Sequence, residues 1–475
     1  MDAWRFPKIV GGVAVDGDPA ELIHLDYEVG IRISMPPLTT EDVRTAADTD
    51  DALTHELVSM TTAQVLDFLA AVGERLSRPD HPARDWIEHI SAPLLGCNPR
   101  MLAVDYETIE SFLTWREAAI FLETDLGDAA ILDEWCSVGE SLQRAYPIGL
   151  AVHLMVGNLP LASAFTMIRG LITRNRNLAK LPSRDPVFPL MLGLTMIEVD
   201  PSHPLTRATT MGYWARDSEA MREALKAADL ICAWGGADAM ELVHSLAIPP
   251  TRIQEFGPKR SCSLVVLEGL SEVEVWAAAR RVVMDSFFYE QEACFNAQRV
   301  FVVGDCAAFI PHLERAVAEF EDKMACGDRN RDIAAHVSMT RLDATYRGTM
   351  VSAGPSSTIL REFEDWRRFD HPLARTLVLQ SIAEPIALLE YIDSDVQTVG
   401  VYPWSASVAV RDQLGELGAS RIIEAGMARY WRFGFSHDGG RPMRDFVRFA
   451  GHEKPSYDDF GFEPTEPLER WVFDW

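Results

Sequence analysis

From about residue 146 to residue 270, short strand-like runs, several of them largely apolar, alternate with longer stretches that read as helices. AVHLMVG (151–157) predicts a strand buried on both faces, and PLASAFTMIRGLITR (160–174) a helix with Pro160 in its first turn. NLAKLPS (177–183) reads as a short strand, and Asp185-Pro186 opens a helix. TRATTMGYW (206–214) is strand-like, SEAMREALKAA (218–228) helical, DLICAWGG (229–236) a strand ending in two glycines, and ADAMELVHSL (237–246) a helix. Strand and helix alternating at these lengths predict a parallel sheet covered by helices. Ligands on such sheets bind at the carboxyl ends of strands. The turns at Asn158, Ser183 and Gly235-Gly236 fall there.

Outside this stretch the pattern changes. Residues 1–145 open with strand-like pieces such as IRISM (31–35), then turn helical, with a start signal at Thr61-Thr62 before AQVLDFLAAVGERL. They carry no catalytic motif and are expected to form a separate region. A second α/β region spans 271–410. In it SEVEVWAAARRVVMDSFFYEQEA (271–293) predicts a long helix running straight into Cys294. QRVFVVGD (298–305) follows as a strand and AAFIPHLERAVAEFEDKMA (307–325) as an amphipathic helix. Residues 411–475 are less regular, with a Gly-rich turn HDGGRP at 437–442.

Composition narrows the function classes. The chain has 475 residues, 44 basic and 71 acidic, for a net charge of −27. This opposes broad binding to nucleic acid or to anionic membranes, so an anionic ligand needs a local basic pocket. Residues 146–168 contain only His153 as a chargeable side chain and are long enough to cross a bilayer. Gly157-Asn158-Leu159-Pro160 in the middle argues instead for strand, turn and helix. The seven cysteines (Cys97, Cys136, Cys232, Cys262, Cys294, Cys306 and Cys326) are scattered and never in a CxxC pair. Neither a disulfide framework nor a zinc site is expected, and no other metal-ligand spacing stands out; a reducing, cytoplasmic compartment is the simpler reading. His153, His244 and His437 could each be proposed as an acid or base, but a lone His near an apolar strand is more often simply hydrogen-bonded in the core.

Cys294 lies at a helix–strand junction in SFFYEQEACFNAQRVFVVGD, where a lone cysteine is ordinarily a small buried hydrophobe. Its neighbours change that. Phe288, Gln291, Cys294, Arg299 and RVFV at 299–302 resemble the catalytic-cysteine segment of aldehyde dehydrogenases. VGNLPL (156–161), LAKLPSRDP (178–186) and QEFGPK (254–259) resemble three further segments of that superfamily, in the same order. AWGGADA (233–239), FGPKRS (256–261), QEACFNAQ (291–298), VQTVGV (396–401) and HDGGRPMRDFVRF (437–449) narrow the resemblance to the LuxC-type long-chain acyl-thioester reductases of bacterial luminescence operons.

The resemblance implies an α/β, aldehyde dehydrogenase-like fold with an extra N-terminal region (1–145). A Rossmann-type NADP-binding domain (146–270) and a catalytic α/β domain carrying the nucleophilic cysteine (271–410) would follow, then a C-terminal segment (411–475) packing on the core or on a partner subunit. It implies Cys294 as nucleophile, Asn158 as oxyanion donor and Glu255 as a further catalytic group, either a proton relay or merely a partner of Lys259. Lys180, Ser183, Arg184, Gly235 and Gly236 would hold the cofactor. Where the superfamily often carries a ribose-binding Glu, this chain has Ser183, with Lys180, Arg184, Arg169, Arg174 and Arg176 nearby. A small hydroxyl among positive charges favours NADPH. Where the superfamily has a second phosphate-facing Gly, this chain has Met240. The implied reaction is reduction of an acyl-CoA or acyl-carrier-protein thioester to an aldehyde. The alternatives are oxidation of an aldehyde to an acid, and a non-catalytic subunit that kept the fold. A homo-oligomer is compatible with the resemblance, the aromatic tail RWVFDW being a candidate interface.

Overall fold

The computed structural model describes residues 2–48, 50–430 and 436–454. The tail RWVFDW lies outside them.

Two seven-stranded sheets organise the chain. The first has the order Arg252–Phe256, Leu230–Trp234, Leu150–Leu154, Arg176–Lys180, Thr209–Gly212, Lys8–Val10, Val13–Val15. The first five strands are parallel; the alternating pattern predicts four of them, and Arg252–Phe256 is added at the edge. Strand order reverses between Leu150–Leu154 and Leu230–Trp234, so the turns carrying Asn158 and Gly235 leave a crevice at their carboxyl ends. The last two strands form an antiparallel hairpin from the N-terminal region, whose link to the sheet pairs Ile9 with Met211. Residues 1–145 are therefore not a separate region: their hairpin extends the sheet.

The N-terminal helices also belong to this layer. Thr62–Ser77 starts at a capping box in which Thr61 and Gln64 bond each other's backbone N–H. Its stripe of Val65, Leu66, Leu69, Val72 and Leu76 is buried. This helix and Pro99–Phe112 pack on Pro160–Ile172 and Val187–Val199, the helices that cover one face of the sheet.

The second sheet runs Met350–Ala353, Thr358–Arg361, Thr376–Ile382, Ala297–Val303, Arg260–Val266, Val396–Tyr402, Arg421–Glu424, parallel except at its first pair. The chain leaves the first sheet at Phe256 and enters the second at Arg260, earlier than the boundary at 270 read from the sequence. Residues 257–259 bridge the two. Carboxyl ends of the first sheet thus face amino ends of the second. A small antiparallel sheet joins Val447–His452 to Ser141–Pro147.

The apolar stretch 146–168 is strand Leu150–Leu154, a turn, and the start of helix Pro160–Ile172. Among the described residues no helix is long and apolar enough to cross a membrane. His153 bonds Thr166 at 2.9 Å and Asn177 at 3.0 Å, and burial lowers its pKa to about 4, so it is a neutral core histidine.

Candidate active site

A cavity of about 530 Å³ lies where the two sheets meet. Asn158, Gly235 and Gly236 line it from the first sheet, and Cys294 from the second.

The backbone before Cys294 is not the continuous helix expected. Helix Glu272–Phe287 stops at Phe287, and Tyr289, Glu290 and Gln291 follow at φ +54°, +54° and +69°. These non-glycine residues are left-handed, at roughly 1–2 kcal/mol each. Leu373, Ala374 and Arg375 opposite are left-handed as well. The two loops are fastened together. Arg375 Nε donates to Glu290 Oε2 at 2.8 Å, both side chains are buried, and the Thr376 N–H donates to Gln291 Oε1 at 2.8 Å. After Cys294 the chain is pinned too. The Asn296 amide donates to the Asp285 carbonyl at 2.8 Å, and the Ser261 hydroxyl to the Cys294 carbonyl at 2.7 Å.

The Cys294 sulfur accepts from Gln397 Nε2 at 3.0 Å, and the backbone N–H groups of Cys294 and Phe295 also favour its thiolate. Burial, reinforced by the charge of Asp438, outweighs these donors and pushes the thiol up to about 12. Gln397 Nε2 also donates to Asp438 Oδ1 at 2.8 Å. Asp438 sits at φ +48° in a turn closed by reciprocal bonds between His437 and Gly440. VQTVGV and HDGGRP carry a family resemblance, but nothing local in either marks Gln397 or Asp438 as neighbours of a cysteine.

Asn158 reaches the same cavity. Its Nδ2 donates to the Glu292 carbonyl at 3.0 Å, while Oδ1 is buried without a hydrogen-bond partner among the described residues. Gly236 caps helix Ala237–Leu246 without a side-chain bond, and a Cβ built on it meets nothing within 4 Å. Trp234 and Phe256 stack beside it with centroids 4.0 Å apart.

Other expected residues lie elsewhere. Glu255 is exposed and ion-paired with His244, on the sheet face covered by helix Ala237–Leu246. Strand alternation turns its neighbour Phe256 into the cavity instead. Glu255 therefore touches neither the cavity nor Lys259, whose Nζ bonds the Ser394 carbonyl at 3.0 Å. Arg184 lines the cavity, but its guanidinium is held by both oxygens of Glu292. Arg169 is buried behind Phe256 and Phe121, its ring contacts at 5.9 and 5.6 Å. Arg174 is committed to Asp133, Thr62 and the Leu132 carbonyl, and Arg176 to carbonyls of residues 46–48. Arg174 and Arg176 are thus tied to the fold, and Arg169 is buried away from solvent. Lys180, the last residue of its strand, and Ser183 in the turn beyond it do not line this cavity. The Ser183 carbonyl is held by the Tyr27 hydroxyl at 2.6 Å. Burial, with Arg216 nearby, lowers the Lys180 pKa to about 8. Arg216, which nothing in the sequence singles out, is the basic group that joins Lys180. Among the described residues no cluster of side chains could hold a metal.

This is the aldehyde dehydrogenase fold. Solved structures similar to it include lactaldehyde dehydrogenase from Escherichia coli (TM-score 0.72, 15% identity, 95% of this chain and 99% of that one). An aldehyde dehydrogenase from Brucella melitensis biovar abortus is also similar (TM-score 0.76, 14% identity, 94% and 96%). The profile of the family described as acyl-CoA reductase (LuxC) matches residues 57–449, and the chain belongs to that family. Similar relatives are long-chain acyl-protein thioester reductase 2 of Photobacterium leiognathi (31% identity, 95% of this chain and 94% of that one) and a long-chain acyl-protein thioester reductase of Vibrio harveyi (32% identity, 82% of each).

Proposed function

We propose that the protein reduces a long-chain fatty acyl thioester, carried on CoA or on a carrier protein, to the aldehyde, with NADPH and through an acyl group held on Cys294. The observation that carries this reading is the Cys294 sulfur in a cavity shared by Asn158 and the Gly235-Gly236 turn. The names of the relatives point the same way.

The residues present fit a dinucleotide. The helix start at Gly236 offers uncapped backbone N–H groups to a pyrophosphate, and the glycine leaves room for it. Lys180, Ser183 and Arg216 would receive the phosphorylated ribose, without a carboxylate at position 183 to repel it. When bound, NADPH supplies the hydride that reduces the Cys294 thioester.

The chain's own residues do the rest. Gln397 and the backbone N–H groups orient the sulfur and favour its thiolate, which attacks the acyl carbon. The Asn158 amide hydrogen not given to Glu292, with the Cys294 N–H, is offered to the developing oxyanion. After reduction, collapse of the thiohemiacetal on Cys294 releases aldehyde and returns the thiolate. With Glu255 paired to His244 on another face, the oxidative alternative loses its base, and the acyl-enzyme is spared from water activated there. Seven free cysteines suit a cytoplasmic setting.

NADPH consumption with a series of acyl-CoAs tests the reading, with aldehyde trapped as product. Consumption is expected, and Cys294→Ala is expected to lose both it and acyl labelling. A variant that keeps turnover overturns the reading.

A further inference from the structure

We infer that Asp438 accepts the proton of the Cys294 thiol during acylation, across a gap set by the Gln397 amide. The inference rests on the thioester reading above and supplies the base that reading lacks.

Five ionisable side chains line the cavity among the described residues: Arg184, Lys259, Glu292, Cys294 and Asp438. Two are cations. Glu292 spends both oxygens on Arg184. Glu255 faces elsewhere. Asp438 is the remaining carboxylate. One nitrogen, Gln397 Nε2, donates to the Cys294 sulfur at 3.0 Å and to Asp438 Oδ1 at 2.8 Å. An amide nitrogen with its two hydrogens so engaged holds sulfur and oxygen about one water molecule apart. Gln397 is fully buried, which fixes that spacing. The left-handed backbone of Asp438, clamped by the His437–Gly440 bonds, aims the carboxylate from the turn. Burial raises the Asp438 pKa, making it a stronger base than an ordinary carboxylate; the charges facing it are Cys294, Lys259 and Arg169.

The proton count closes. The S–H bond of Cys294 breaks, its proton passes through a water to Asp438, and the sulfur bonds the acyl carbon. The donor's C–S bond then breaks, and Asp438 returns the proton to the departing thiolate. No net charge or electron pair is left over.

The test compares two reactions of the same sulfur. Acylation by an acyl-CoA needs the proton taken from Cys294 and handed back to the departing thiolate; alkylation by iodoacetamide expels iodide, needs no proton returned, and reads only the thiolate present at equilibrium. In Asp438→Asn, single-turnover acylation is expected to fall about 100-fold or more over pH 6–8. Alkylation is expected to hold or rise, because a negative charge beside the sulfur is gone. Asp438→Glu is expected to recover part of the acylation rate. Unchanged acylation in Asp438→Asn overturns the inference. So does a parallel fall in both reactions, which marks Asp438 as a strut. Wild-type protein that alkylates yet is never acylated sinks the thioester reading, and this inference with it.

Discussion

The two sheets contribute to one cavity by opposite means. The first supplies Asn158 and Gly235-Gly236 from turns that follow directly from strand, punctuation and helix. The second supplies Cys294 from a loop of consecutive left-handed non-glycine residues, faced by another such loop and held by a buried ion pair. One half is written locally. The other persists because distant contacts over-determine it. Variants on the second half should therefore cost stability as well as rate, and variants on the first half rate or affinity alone.

The largest effect expected is at Arg375. Arg375→Met leaves Glu290 buried and unpaired, at a cost of about 3–5 kcal/mol. Chemical denaturation should show that loss, with slower acylation of Cys294. A variant as stable as wild type would show that the strained loops hold without their clamp. Next comes Asn158→Ala, expected to lower kcat about 100- to 1000-fold, the effect of removing one oxyanion donor, with unfolding little changed. An effect confined to KM would move Asn158 from oxyanion donor to ground-state binding. Smaller still, Ser183→Glu should shift preference from NADPH toward NADH by about tenfold, or ~1.4 kcal/mol, read as the ratio of kcat/KM for the two cofactors. No shift would locate the 2′-phosphate elsewhere.

The smallest effect concerns Asp285, beneath the cysteine loop. Its carboxylate accepts the Gly426 N–H at 2.6 Å and the Ala428 N–H at 2.9 Å, yet burial raises its pKa from 3.8 to about 7. The folded state thus holds this proton more tightly than the unfolded chain. The stabilisation is complete below about pH 4 and is lost as pH rises toward 7. Asp285→Asn has no charge to bury. Its melting temperature relative to wild type should climb by a few degrees between pH 5 and pH 8. A difference that stays flat with pH would contradict a buried titration there.

The same contrast separates what the sequence discloses from what it conceals. The parallel strands between 150 and 234 are legible because each is short, set between helical stretches and followed by turn residues, whereas Arg252–Phe256, with Arg252, Gln254 and Glu255 among its five residues, carries no such signal. Cys294 and Asn158 are legible through the company they keep along the chain. The end of the helix at Phe287 is hidden, because FFYEQEA continues a helical pattern and only contact with residues 373–376 makes it turn. Arg169, Arg174 and Arg176 read along the chain as positive charge near the cofactor ribose, yet the fold buries the first two and ties the third to carbonyls of residues 46–48. Gln397 and Asp438 are concealed most thoroughly, since sequence spacing places neither beside Cys294. The Lys8–Val15 hairpin, too, finds its partner near residue 211 only in three dimensions.

The segment after residue 436 does two jobs. It carries Asp438 to the sulfur, and it is stitched to the first sheet. Asn175 and Gln254 donate to the carbonyls of Phe446 and Pro442, and strand Val447–His452 pairs with Ser141–Pro147. During synthesis, both large sheets can be complete while this segment is still inside the ribosome. The nascent chain therefore displays a cysteine before its acidic neighbour arrives, and the reactive centre is finished by the same late docking step that seals the N-terminal half of the molecule.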